Sequence, residues 1–82
     1  MIRILIVDDS AFMRKVITDL FNEAKDFQVV GTAKNGKEAV ELVEKLNPDL
    51  VTMDVEMPIM NGLDALEQIM QKHPVPVVMF SS

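Results

Sequence analysis

The chain has no cysteine in its 82 residues. Neither a disulfide framework nor a thiolate metal site is open to it, so the core must hold itself together. A basic stripe is also missing. Eight Lys and Arg residues are scattered among 13 Asp and Glu residues, for a net charge of −5, and a nucleic-acid surface is not expected. The apolar run Ile4-Leu5-Ile6-Val7 is too short for a signal core and stops at two aspartates. No stretch approaches a membrane span, so no membrane partner and a cytoplasmic location are expected. Internal repeats, low-complexity tracts and linkers are absent too. What remains is a chain 49% apolar, which argues against disorder, in a length that allows one small domain.

Two textures alternate along it. Ile2 to Val7 is almost wholly apolar, as a strand buried on both faces of a parallel sheet requires. Ser10 is placed as the N-cap of a helix whose apolar stripe is Phe12, Val16, Ile17, Leu20, Phe21 and Ala24. Lys25 and Asp26 break that stripe, and Phe27 to Ala33 reads as a second strand. Asn35-Gly36 is a turn pair, followed by a helix with Ala39, Val40, Leu42, Val43 and Leu46 on one face. Asn47-Pro48 ends it, because the residue before proline is disfavoured in the helical region. Leu50 to Met53 is a third strand, and Asp54 to Gly62 a loop. Leu63 to Lys72 is a third helix burying Leu66, Ile69 and Met70. His73-Pro74 stops that helix, and Val75 to Phe80 is a fourth strand. The order βαβαβαβ predicts an α/β, doubly wound parallel sheet with right-handed crossovers.

Asp8 and Asp9 follow the first strand directly, and Asp54 follows the third. In open parallel sheets ligands bind beyond the carboxyl ends of the strands, where the winding reverses. With strand order 2-1-3-4, the first and third strands straddle that reversal and the three acids meet in one crevice. A pair of acids before a helix also serves simply to interact with the helix dipole, and a lone loop Asp is often structural. It is the combination that favours a site. Three crowded carboxylates repel one another, and oxygen-only donors suit a hard divalent ion, Mg²⁺ or Mn²⁺. A carboxylate beside such an ion can attack phosphorus. There is no P-loop, and no Ser/Thr/Gly-rich phosphate loop after the first strand of the kind a flavin site needs.

Three segments, Ile4-Leu5-Ile6-Val7-Asp8-Asp9-Ser10, Met53-Asp54-Val55-Glu56-Met57-Pro58 and Asn61-Gly62-Leu63, together resemble bacterial response-regulator receiver domains, in order and spacing. The texture of Ser10-Ala11-Phe12-Met13-Arg14, and of Pro74-Val75-Pro76-Val77-Val78-Met79 leading to Ser81-Ser82, is similar to the receivers of chemotaxis protein-glutamate methylesterases. The resemblance implies a flavodoxin-like fold. It also implies that Asp8 and Asp9 organise Mg²⁺, with Asp9 the direct ligand, and that Asp54 is the phosphoacceptor. Glu56 would lend its backbone carbonyl to the metal. Ser81 would be the switch hydroxyl, with Ser82 as its fallback by one register step. A sensor histidine kinase is the implied phosphodonor.

Receivers run to five strands and five helices, with a Lys at the end of strand five that pairs with the phosphoryl group. Residues 1–82 match the N-terminal portion only, without the last strand, the last two helices or that Lys, and without a methylesterase domain. The expectation is therefore a non-enzymatic receiver fragment with impaired phosphorylation. It would self-associate through the edge of the fourth strand and the bare sheet face. The alternatives are a self-associating structural half-domain, excised or designed, and a metal-dependent phosphatase-like enzyme built on Asp54-Val55-Glu56.

Overall fold

Strand β1, Ile2–Val7, is apolar apart from Arg3, and Ile4, Leu5, Ile6 and Val7 are fully buried in the computed structural model, which describes residues 1–81. It is the centre of the sheet. Strand β2 (Phe27–Ala33) and strand β3 (Leu50–Asp54) flank it, and β4 (Val77–Phe80) pairs with β3. All pairings are parallel, in the order β2-β1-β3-β4. The expected topology is the one found.

Three helices make the crossovers: α1 over Ala11–Glu23, α2 over Gly36–Leu46 and α3 over Gly62–Lys72. Each begins on a side chain that accepts a bond from the open first turn. Ser10 Oγ accepts from the Met13 N–H at 3.2 Å, Asn35 Oδ1 from Glu38 at 2.9 Å and Asn61 Oδ1 from Asp64 at 2.9 Å. Asn35-Gly36 thus opens a helix instead of closing a hairpin. Glu38 returns the favour by accepting from the Lys34 N–H at 3.1 Å, so its side chain takes part in the cap. At the far end of α2, Asn47 takes left-handed backbone angles, φ 49° and ψ 59°. Asparagine tolerates this shape, and it reverses the chain ahead of Pro48.

Helices α2 and α3 pack side by side on one sheet face. There Leu5, Val7, Val51 and Met53 meet Ala39, Val43, Ala65 and Ile69 to form the core. Helix α1 lies over β1 and β2 on the other face. Its Phe21 meets Phe27 edge-on at 5.1 Å.

Four expectations need correction. Strand β4 starts at Val77 and not Val75, because Pro76 has no N–H for the ladder and offers only its carbonyl, to Val51 at 3.0 Å. Strand β3 includes Asp54, which is therefore the last strand residue and not the first of the loop. Phe12 and Leu20 of α1 are 74% and 63% exposed, since α1 covers only the β1–β2 half of its face. Met70 is exposed as well. It points to the β4 side of α3, where a shallow apolar groove of about 470 Å³ runs between Leu66, Met70, Val75 and Val77.

Candidate functional site

The parallel register decides what meets at the top of the sheet. Val7 is level with Met53, so the residues that follow, Asp8 and Asp54, emerge side by side. Asp8 is held in the ladder by its N–H to the Ala33 carbonyl at 3.0 Å. Its Oδ1 accepts the Ser10 N–H at 2.9 Å, which folds the turn into α1 and carries Asp9 over the crevice. Asp54 Oδ1 accepts the Glu56 N–H at 3.3 Å. Asp8 and Asp54 are buried, whereas Asp9 is exposed. One carboxylate oxygen from each of Asp8, Asp9 and Asp54 lies within 4.8 Å of the others.

Burial pushes the Asp8 carboxyl above its ordinary value. The Ser10 N–H opposes that rise, the charges of Asp54 and Asp9 add to it, and Arg14 opposes it. Such a cluster is strained by its own charge, and an all-oxygen donor set of this size could hold a hard metal ion. A small ion coordinated by carboxylates needs no cavity. A larger polar groove, lined by Ile59, Asp64, Glu67 and Gln71 among others, lies along α3 instead of at the crevice.

The loop from Val55 to Asn61 is clamped onto this end of the sheet. The Gly62 N–H donates to the Val55 carbonyl at 2.8 Å, and the Gly36 N–H to the Met60 carbonyl at 2.9 Å. A Cβ on Gly62 would strike the Asp54 carbonyl and lie 2.8 Å from Met79 Cε, and one on Gly36 would strike the Met60 carbonyl. Close approach, not unusual backbone angles, is what these glycines supply: neither has positive φ.

Glu56 follows Asp54 by two residues with its side chain in solvent. Ser81 comes directly after Phe80, which pairs with Asp54, and is exposed. Its fallback, Ser82, lies outside the described residues. Arg14 enters the sequence reading only within the Ser10–Arg14 resemblance and not as a site residue, yet its Nη1 donates to the Asp8 carbonyl at 2.7 Å. Its position four residues after the Ser10 cap, hence over that end of the helix, was the available signal.

The sequence model of the response regulator receiver domain matches residues 4–82. The chain belongs to that family. Among curated relatives, the protein-glutamate methylesterase/protein-glutamine glutaminase of Geobacillus kaustophilus is 60% identical over 81 residues, covering 99% of this chain and 23% of the relative. The Bacillus subtilis counterpart is 56% identical over 82 residues, covering all of this chain and 23% of its own length. This receiver chain therefore spans under a quarter of the curated relatives it matches. The response regulator domain of Thermotoga maritima CheB superposes with a TM-score of 0.98 at 55% identity, covering 100% of this chain and 61% of that one. A chain from the CheX–CheY–BeF3–Mg²⁺ complex of Borrelia burgdorferi matches with a TM-score of 0.89 at 38% identity, covering 98% and 61%. The flavodoxin-like topology and the receiver family thus agree with what the motifs imply. No helix among the described residues is long and apolar enough to cross a membrane.

Proposed function

We propose that residues 1–82 are the N-terminal portion of a chemotaxis-type receiver, a phosphorylation-dependent signalling switch whose acceptor is Asp54. The observation that carries this reading is the convergence of the Asp8, Asp9 and Asp54 oxygens within 4.8 Å at the sheet's carboxyl end. Asp8, Asp9, Asp54 and the backbone carbonyl of Glu56 would hold Mg²⁺ or Mn²⁺. When bound, the ion supplies charge neutralisation for the transferring oxygens. The related Borrelia complex, which contains Mg²⁺ and BeF3, supports that choice of ion.

The chain's own residues do the rest. The Glu56 N–H occupies Asp54 Oδ1, which leaves Oδ2 to attack phosphorus in line. The Asp54–phosphorus bond forms as the bond to the donor breaks, and the donor leaves with the electron pair. A phosphodonor histidine of a sensor kinase fits this chemistry. The dianion then offers strong acceptors to the Ser81 hydroxyl, which would bias the end of β4 between two positions. The chain acts as a regulated element and not as an enzyme on this reading, and its place is the cytoplasm.

Incubation with Mg²⁺ and a small-molecule phosphodonor, read by intact mass and hydroxylamine sensitivity, tests the assignment. An acid-stable, base-labile adduct that is absent from Asp54→Asn is expected. An adduct that persists in Asp54→Asn overturns it.

A second reading rests on a separate observation. β4 pairs only with β3 among the described residues, its Val78 is 54% exposed, and the apolar groove of Leu66, Met70, Val75 and Val77 adjoins that free edge. Such an edge is a template for a second copy, so the chain would also act as a self-associating fragment. Light scattering at micromolar concentration is expected to give a dimer mass, and a stable monomer mass refutes it.

A further inference from the structure

Helix α1 carries no acidic residue in its first turn, although the N-terminal end of a helix favours negative charge and disfavours cations. It has Arg14 there instead. Helical side chains lean back toward the N-terminus, and Arg14 does so fully: Nη1 reaches past Ser10 to the Asp8 carbonyl at 2.7 Å. Among the described residues, it is the one cationic side chain hydrogen-bonded to any of the three crevice acids. The side chain is partly buried, so water screens its charge less than that of Lys15 or Lys34, whose salt bridges lie at the surface.

The backbone bond alone does not explain this arrangement. Asp8 is already fixed twice, by its N–H to Ala33 at 3.0 Å and by the Ser10 N–H to Oδ1 at 2.9 Å. A third tether adds little geometry. What Arg14 adds that the other two do not is a whole positive charge at the Asp8 backbone, near enough to oppose the rise of the Asp8 carboxyl without being ion-paired to it.

We propose that Arg14 is a positioning residue that acts as a built-in counter-ion: it holds the acids together in the metal-free state and competes with the incoming divalent ion for them. The inference rests on the metal reading above. It makes a sign prediction that a structural tether does not. If Arg14 only braced the Asp8 carbonyl, its loss would loosen the site and weaken Mg²⁺ binding. As a counter-ion, its loss removes a repulsive charge from the ion's destination and strengthens binding, while the metal-free fold loses stability.

The test is calorimetric titration of Mg²⁺ into the chain, Arg14→Met and Arg14→Lys, at low and then high salt. Arg14→Met is expected to bind about three- to tenfold more tightly at low salt, as expected for one unit charge acting on a divalent ion across a side-chain length of partly hydrated space. The advantage should shrink as salt screens it. Arg14→Lys, which keeps the charge and loses the fork, should stay within about twofold of the parent. Far-UV circular dichroism checks folding, and Arg14→Gln carries the same expectation if the Met variant fails to fold. Binding by Arg14→Met that is equal to or weaker than the parent's overturns the proposal, as does Arg14→Lys behaving like Arg14→Met. A parent chain that binds no Mg²⁺ at all fails at the earlier step and brings down the metal reading itself.

Discussion

Asp8→Asn is expected to stabilise the metal-free chain, although it removes a residue assigned to the site. Two carboxylates 4.8 Å apart, the outer limit of the cluster, repel by about 3.5 kcal/mol at an effective dielectric near 20. Asp8 takes part in two of the three pairs. Exposed Asp9 contributes a heavily screened share, and the variant gives up the Arg14 attraction and part of the Ser10 bond. A net gain of about 1–3 kcal/mol remains, or roughly 5–20 °C in melting temperature for a domain of this size.

The pH dependence follows from the same cause. Burial, together with Asp54 and Asp9, holds the Asp8 carboxyl above its ordinary value despite Ser10 and Arg14. The folded state therefore binds that proton more tightly than the unfolded state. Metal-free stability should rise as pH falls from the raised value toward the ordinary carboxylate value, and should decline as pH climbs back through that window. Asp8→Asn should flatten this trend. Thermal unfolding in chelator, repeated with saturating Mg²⁺, is the assay. The metal should raise the parent's melting temperature far more than the variant's. A metal-free Asp8→Asn protein that melts at or below the parent at neutral pH would refute the claim that charge repulsion dominates the crevice.

Three further outcomes follow from local structure. Gly62→Ala drives a methyl into the Asp54 carbonyl and within 3.0 Å of Val55 Cα; a loss of about 3 kcal/mol in urea unfolding is expected, together with weaker Mg²⁺ binding. Ile59 is 79% exposed and sits at φ 68°, a conformation that β-branched side chains resist. Ile59→Asn should therefore gain about 1 kcal/mol, read as a shift in urea midpoint at unchanged slope. Thr52 Oγ1 is buried with no hydrogen-bond partner among the described residues, so the near-isosteric Thr52→Val should gain about 1–2 kcal/mol in the same assay.

Much of the fold was legible in the residues because local rules and the global fold agree. The buried run of Ile4 to Val7, the caps Ser10 and Asn35 and the proline stop after His73 each name one conformation, and alternating strands and helices leave one common architecture. Boundaries were less legible where a side chain answers to neighbours distant in sequence. Pro76 shortens β4 only because the ladder there needs an N–H. Phe12, Leu20 and Met70 carry helical periodicity toward surfaces that no described element covers, and periodicity reports a face without saying whether anything packs on it.

The amino-acid order by itself determined that two acids end one strand and a third ends another, and that the chain between them must cross over in parallel. Only the tertiary structure decided that these carboxylates share a space of less than 5 Å, that two of the three are buried, and that an arginine one turn into α1 reaches back to the Asp8 backbone carbonyl. The physical reason is one of range. Strand ends and caps are set by bonds among near neighbours, whereas a crevice is set by register between strands more than 40 residues apart, such as Val7 beside Met53.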